Sequence, residues 1–210
     1  MFYLSVFVVA GFVCMLISSE ALAENYSESV SGDLSNNPAA PTVIPVSAGS
    51  NAITGTTGTV DGVTDLDYFT ITVPPGSTLQ SINETTYTLN GAPSTNLSFI
   101  GVESGTTFTP AATTTAAQTL GYDHFSLAQV NTNILPGMGT AAGAMDFTPP
   151  LGAGNYTFWI QEANQPLIGY GFNLVIAAQA PGVPPGFLIF VAAGMIFVGA
   201  RATRAKRKFA

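Results

Sequence analysis

All five lysine and arginine residues of this 210-residue chain fall within eight consecutive positions: Arg201, Arg204, Lys206, Arg207 and Lys208. The twelve acidic residues lie entirely before them, from Glu20 to Glu162. Between residues 24 and 200 there are eleven carboxylates and no basic side chain, a formal charge of −11. A stretch without Lys or Arg cannot neutralise phosphates, which excludes nucleic acid as a partner. It also offers no guanidinium to anionic sugars or carboxylate substrates. Divalent cations, neutral polysaccharide and cationic surfaces remain.

The basic end closes a membrane tether. Residues 187–200 are fourteen positions without a charge, and counting from Val183 gives eighteen. At about 1.5 Å per residue this spans roughly 21 to 27 Å, slightly less than a hydrocarbon core of ~30 Å. The stems of the basic stop (Arg201, Arg204, Lys206, Arg207, Lys208) can snorkel to cover the shortfall. By the positive-inside rule they would sit in the cytoplasm, with everything earlier outside it. Pro184, Pro185 and Gly186 cannot continue the helix and leave extended backbone just before it.

The other end reads as a secretory signal, residues 1–23. An apolar stretch from Phe2 to Ile17 precedes Ala21-Leu22-Ala23, an A-x-A cleavage site in which Ala21 and Ala23 are the small residues. Cys14, the one cysteine, lies inside that stretch, so the mature chain has no disulfide, thiol nucleophile or thiolate metal site.

Residues 24–44 are polar and proline-rich and are expected to form a mobile arm. After them, turn signals recur about every ten residues and bracket short alternating runs. In 67–73, Phe69, Ile71 and Val73 oppose Tyr68, Thr70 and Thr72. In 155–161, Tyr156, Phe158 and Ile160 oppose Thr157, Trp159 and Gln161. In 170–176, Tyr170, Phe172, Leu174 and Ile176 share one side. Further strands are expected at 51–57, 78–82, 85–89, 96–102, 125–130 and 144–148. Long loops are expected at 106–120 and 136–144. Low charge, 8% of residues, with abundant Thr, Val, Ile and aromatics agrees with an all-β domain. Eight or nine such strands indicate a two-sheet β-sandwich over residues 45–178, followed by a linker at 179–186, a transmembrane helix at 187–200 and a basic cytoplasmic tail at 201–210.

Two resemblances add to this reading. The motif Val183, Pro184, Pro185, Gly186, one apolar helix and an Arg/Lys-rich end resemble the PEP-CTERM sorting signal recognised by exosortases, whose usual motif is Val-Pro-Glu-Pro. Pro185-Gly186-Phe187 also resembles the PGF motif of the archaeal counterpart, and an uncut C-terminal anchor is the plain alternative. Asp65-Leu66-Asp67-Tyr68-Phe69 with Pro74-Pro75-Gly76, then 151–161 (LGAGNYTFWIQ) and a last strand from Tyr170, resemble the pre-peptidase C-terminal (PPC) type of β-sandwich, a jelly-roll-like fold. The resemblances imply an exosortase substrate at the cell surface or in a biofilm matrix, with extracellular polysaccharide nearby.

Candidate chemistry is sparse. Asp61, Asp65 and Asp67 alternate around Gly62 and Thr64 and could hold Ca²⁺ outside the cell; alternatively they fix the turn before a strand. His124, the one histidine, neighbours Asp123, but adjacency in sequence does not make a triad and no Gly-x-Ser-x-Gly occurs. Trp159, Tyr156, Tyr170 and Tyr122 could make a sugar-stacking platform, although Tyr156 and Tyr170 lie on apolar faces and belong to the core, and Trp159, on the face opposite Tyr156, is expected to pack against the second sheet. Glu84, Glu103 and Glu162 stand in no recognisable catalytic context. No enzyme activity and no cofactor beyond calcium are expected. The expected function is that of an exported, C-terminally sorted surface or matrix protein with a structural or adhesive role. The alternatives are a calcium- or carbohydrate-binding module of the envelope, or a permanently anchored protein.

Overall fold

Among the described residues the chain forms nine strands, several of them where the sequence alternates. The computed structural model describes residues 25–109, 116–162 and 166–178, and these form an all-β domain. In chain order they are β1 (Asn25–Ser27), a single turn of helix α1 (Glu28–Ser31), β2 (Thr42–Val43), β3 (Gly49–Val60), β4 (Val63–Val73), β5 (Ser77–Thr88) and β6 (Ser98–Ser104). After these come β7 (Gly121–Phe125), a short helix α2 (Leu135–Gly139), β8 (Gly154–Gln161) and β9 (Ile168–Ala178). The hydrogen-bonded path runs β5-β9-β3-β4-β8-β6-β7, with β1 added to β3 and β2 added to β4.

The path folds back on itself. Phe125 of β7 meets Phe172 of β9 edge-on at 5.0 Å between ring centroids, although the two strands are far apart in the path. Near the two ends of the path, residues 131–134 close the gap. Asn131 donates its N–H to the carbonyl of Glu84, and Glu84 and Ile134 donate theirs to the carbonyls of Thr132 and Ile82. The core inside is made by the inward residues of each alternation: Phe69, Ile71 and Val73 of β4, Phe158 and Ile160 of β8, and Tyr170, Phe172 and Leu174 of β9. Phe69 and Phe158 stack at 5.0 Å, and each such ring contributes about 1.5–3 kcal/mol by leaving water.

β3 and β4 form a hairpin whose two-residue loop, Asp61-Gly62, has φ of 52° and 79°. Asp-Gly supplies that left-handed backbone pair cheaply, and its twist matches the strands.

Several expectations change. Segment 24–44 is no free arm where it is described: it carries β1, α1 and β2, and Leu34 and Ile44 are buried in the core. The strands expected at 78–82 and 85–89 are one continuous β5, held extended across Asn83 and Glu84 by the 131–134 segment. The strand expected at 125–130 ends at Phe125, where the Ser126 hydroxyl accepts from the Ala128 N–H and starts a 3-10 turn at Leu127–Gln129. No strand forms at 144–148: Asp146 has φ of 64°, and Pro149 and Pro150 follow without N–H donors. The expected loop at 136–144 includes part of α2, which buries Leu135 and Met138.

No helix among the described residues is long and apolar enough to cross a membrane. The signal segment 1–23 with Ala21 and Ala23, the motif Val183 to Gly186, the helix expected at 187–200 and the basic end Arg201 to Lys208 lie outside the described residues.

Candidate metal centre

The hairpin β3–β4 is zipped only near its tip, at Gly58↔Asp65, Thr59↔Thr64 and Val60↔Val63. Past that point the strands part. β3 pairs with β9, and β4 with β8. The N-terminal segment fills the fork. β1 runs parallel to β3 from Asn25↔Ala52 to Ser27↔Thr54, and β2 runs parallel to β4 at Thr42↔Phe69 and Val43↔Thr70. Where β1 stops, a side chain continues its work: Glu28 Oε2 accepts the Thr56 N–H at 2.7 Å. On the other arm of the fork, Asn36 Oδ1 accepts the Leu66 N–H at 2.6 Å and the Ser35 carbonyl accepts the Tyr68 N–H at 2.9 Å.

Asp67 points into this fork because it shares the inward side of β4 with Phe69, Ile71 and Val73. It is 0% exposed. Its Oδ2 accepts the Tyr170 hydroxyl at 2.9 Å, while its Oδ1 is buried with no hydrogen-bond partner. Glu28 and Asp33 come from the N-terminal segment to meet it: one carboxylate oxygen from each of the three lies within 4.8 Å of the others. Glu28 is held in place, since its Oε1 also accepts the Leu34 N–H at 3.2 Å. Gly55 makes the approach possible. A Cβ there would lie 2.5 Å from the Tyr170 hydroxyl and 2.7 Å from the Glu28 carboxyl carbon.

Glu28 and Asp67 meet with no cationic side chain beside them, so both hold on to their protons. Burial, then the charges of Glu28 and Asp65, push Asp67 up to about 9 despite the Tyr170 hydrogen bond. Burial, helped by the charges of Asp33 and Glu28, raises Asp65 to about 6. Burial also raises Glu28, against the opposing pull of its backbone hydrogen bonds. Tyr170 is raised by burial and by the Asp67 charge. A cleft of about 440 Å³ opens beside the cluster, lined by Ser27, Glu28, Ser29, Asp33, Thr54 and Thr56 among others. Solvent ions therefore have a route to Glu28 and Asp33.

The expected triplet of Asp61, Asp65 and Asp67 is regrouped. Asp67 joins Glu28 and Asp33; Asp65 lines an adjoining cleft with Asp33 and Asn36; Asp61 occupies the hairpin tip, in the two-residue loop beyond the Val60↔Val63 pair. Glu28 and Asp33 were hidden by the polar composition of 24–44. The readable signal was Leu34, an isolated aliphatic that anchors the segment beside Asp33.

The other candidates are placed as follows. His124 is exposed on β7, edge-on to Phe99 at 5.8 Å, and Asp123 Oδ1 accepts the N–H of His124's own backbone rather than orienting its ring. Tyr156 and Tyr170 are core residues. Trp159 lies on the outer face, yet only 9% of it is exposed, because Tyr68, Phe99 and Phe108 cover it. Tyr122 stacks on Phe99 and donates to the Ala142 carbonyl. These rings form a packed second cluster, not an open platform. Glu103 accepts from Thr109, Glu162 accepts from Asn96 and Ser98, and Glu84 is fully buried, so the three do not converge on one site.

No family model, curated protein or solved structure matches the chain.

Proposed function

We propose that this chain is an exported cell-surface or extracellular-matrix protein with a structural or adhesive role, sorted through its C-terminal segment by an exosortase-type enzyme. The observation that carries this reading is charge segregation: five cations within 201–208, eleven carboxylates and no cation within 24–200. Such a chain is held by its basic end on the cytoplasmic side while an acidic domain faces outward. The domain's dense burial of aromatic and aliphatic side chains suits life without disulfides. The finer fold reading, a PPC-like two-sheet sandwich, is supported by the division of pairing at the fork: β1, β9 and β5 gather around the first part of β3, and β2, β8, β6 and β7 around β4.

The intact mass of the mature protein from its native host tests the sorting step. A chain ending near Pro184 to Gly186, with or without added glycan, is the expected result. A mass that includes Phe209 and Ala210 overturns sorting in favour of a permanent anchor. A second reading, a cation-binding module of the envelope, is favoured by the carboxylates converging at the fork.

A further inference from the structure

Two facts meet at the fork. Asp67 is fully buried and keeps one oxygen without a partner, and that side chain faces two more carboxylates across 4.8 Å or less. An ionised carboxylate in that position needs a positive counterpart, since an unpaired buried charge is among the costliest features a fold can carry. The sequence supplies no lysine or arginine before residue 201. Among the described residues, which carry no lysine or arginine, the counterpart is left to a proton or a solute cation.

We propose that Glu28, Asp33 and Asp67 bind one Ca²⁺ ion, which ties the N-terminal segment to β4 where the β3–β4 ladder ends. This rests on the cation-binding reading and gives it a site. The spacing fits: two oxygens on one Ca²⁺, each at about 2.3–2.6 Å, are separated by at most about 5 Å. The donors are all oxygen, which selects a hard cation; the cluster contains no imidazole or thiolate for zinc or copper. The protein supplies three ligands toward the six to eight that Ca²⁺ takes, and the cleft admits water for the rest. Glu28 is pre-oriented by Thr56 and Leu34, and Gly55 leaves the room that its carboxyl and the Tyr170 hydroxyl share.

The test uses the full chain in neutral detergent, titrated with Ca²⁺ by calorimetry and melted with Ca²⁺ or chelator. Expected are one site and a melting point raised by roughly 5–10 °C at a hundredfold excess over Kd. Asp67→Asn keeps the neutral shape of the protonated acid and loses binding. Asp33→Asn, at an exposed position, folds as the wild type does and binds on the order of tenfold more weakly. Asp61→Asn changes nothing. If Ca²⁺ binds the wild type and both the Asp33 and Asp67 variants alike, the assigned site is wrong while the cation-binding reading survives. If the wild type shows neither heat nor a melting shift at millimolar Ca²⁺, both fall and a shared proton is the counterpart.

Discussion

Two carboxylates, Asp67 and Glu162, are buried to nearly the same degree, 0% and 6% exposed, and they meet opposite surroundings. Glu162 Oε2 accepts from Asn96 Nδ2 at 2.8 Å and from Ser98 Oγ at 3.2 Å. Tyr87 closes that network, accepting from Asn96 at 2.7 Å and sharing a hydrogen bond with Ser98. Asp67 has one donor, the Tyr170 hydroxyl, and otherwise faces other acids. Burial by itself does not make a binding site. The supply of donors decides whether a buried carboxylate is satisfied as a structural acceptor or left short of partners.

Substitutions can break this contrast, the largest effect coming at Gly55. Ala at this position drives a methyl into the Tyr170 hydroxyl and the Glu28 carboxyl, both fixed by other contacts, and is expected to cost about 3 kcal/mol in urea unfolding. It also removes the calcium-dependent melting shift. Wild-type stability with an intact shift would refute the close approach described at the fork. Next comes Asn96→Ala, which strips a donor from Glu162 and from Tyr87. We expect a loss of about 2 kcal/mol, with the calcium shift unchanged; a lost shift would mean the two carboxylates are coupled.

The smallest effect sharpens the comparison with a third acid. Glu84 is fully buried, and burial, against the opposing pull of a backbone hydrogen bond from Ser126, pushes its carboxyl up to about 7. The folded state therefore binds this proton more tightly than the unfolded chain does. The stability it gives is complete below about pH 4 and declines as pH rises through about 7. Glu84→Gln should match the wild type at pH 4 and exceed it by about 1 kcal/mol at pH 8, read from paired chemical denaturation curves. Equal stability at both pH values would place Glu84 in contact with water.

Much of this architecture was legible from period-two alternation. The runs at 67–73, 155–161 and 170–176 are strands because their apolar residues fall on one side, and extending the first run backwards already places Asp67 among them. The fork was not legible. Glu28 and Thr56 are 28 residues apart, and nothing local to either announces the bond between them. The seam at 131–134 and α2 were missed for a related reason. A segment that pairs through a few backbone groups and one asparagine side chain, as Asn133 does with the Ile82 N–H, carries no hydrophobic period. Trp159 was the reverse case: it was expected to be packed and is buried, but its cover includes Phe108, distant in sequence, which no local pattern announces.

The N-terminal segment does something else by lying where it does. A split hairpin leaves two rows of main-chain amides and carbonyls pointing sideways, the kind of template on which neighbouring molecules zip into fibres. Here β1, β2 and the side chains of Glu28 and Asn36 occupy those rows from within the same molecule. A neighbouring copy therefore meets rows already occupied at this corner, with no open hairpin fork there to pair with.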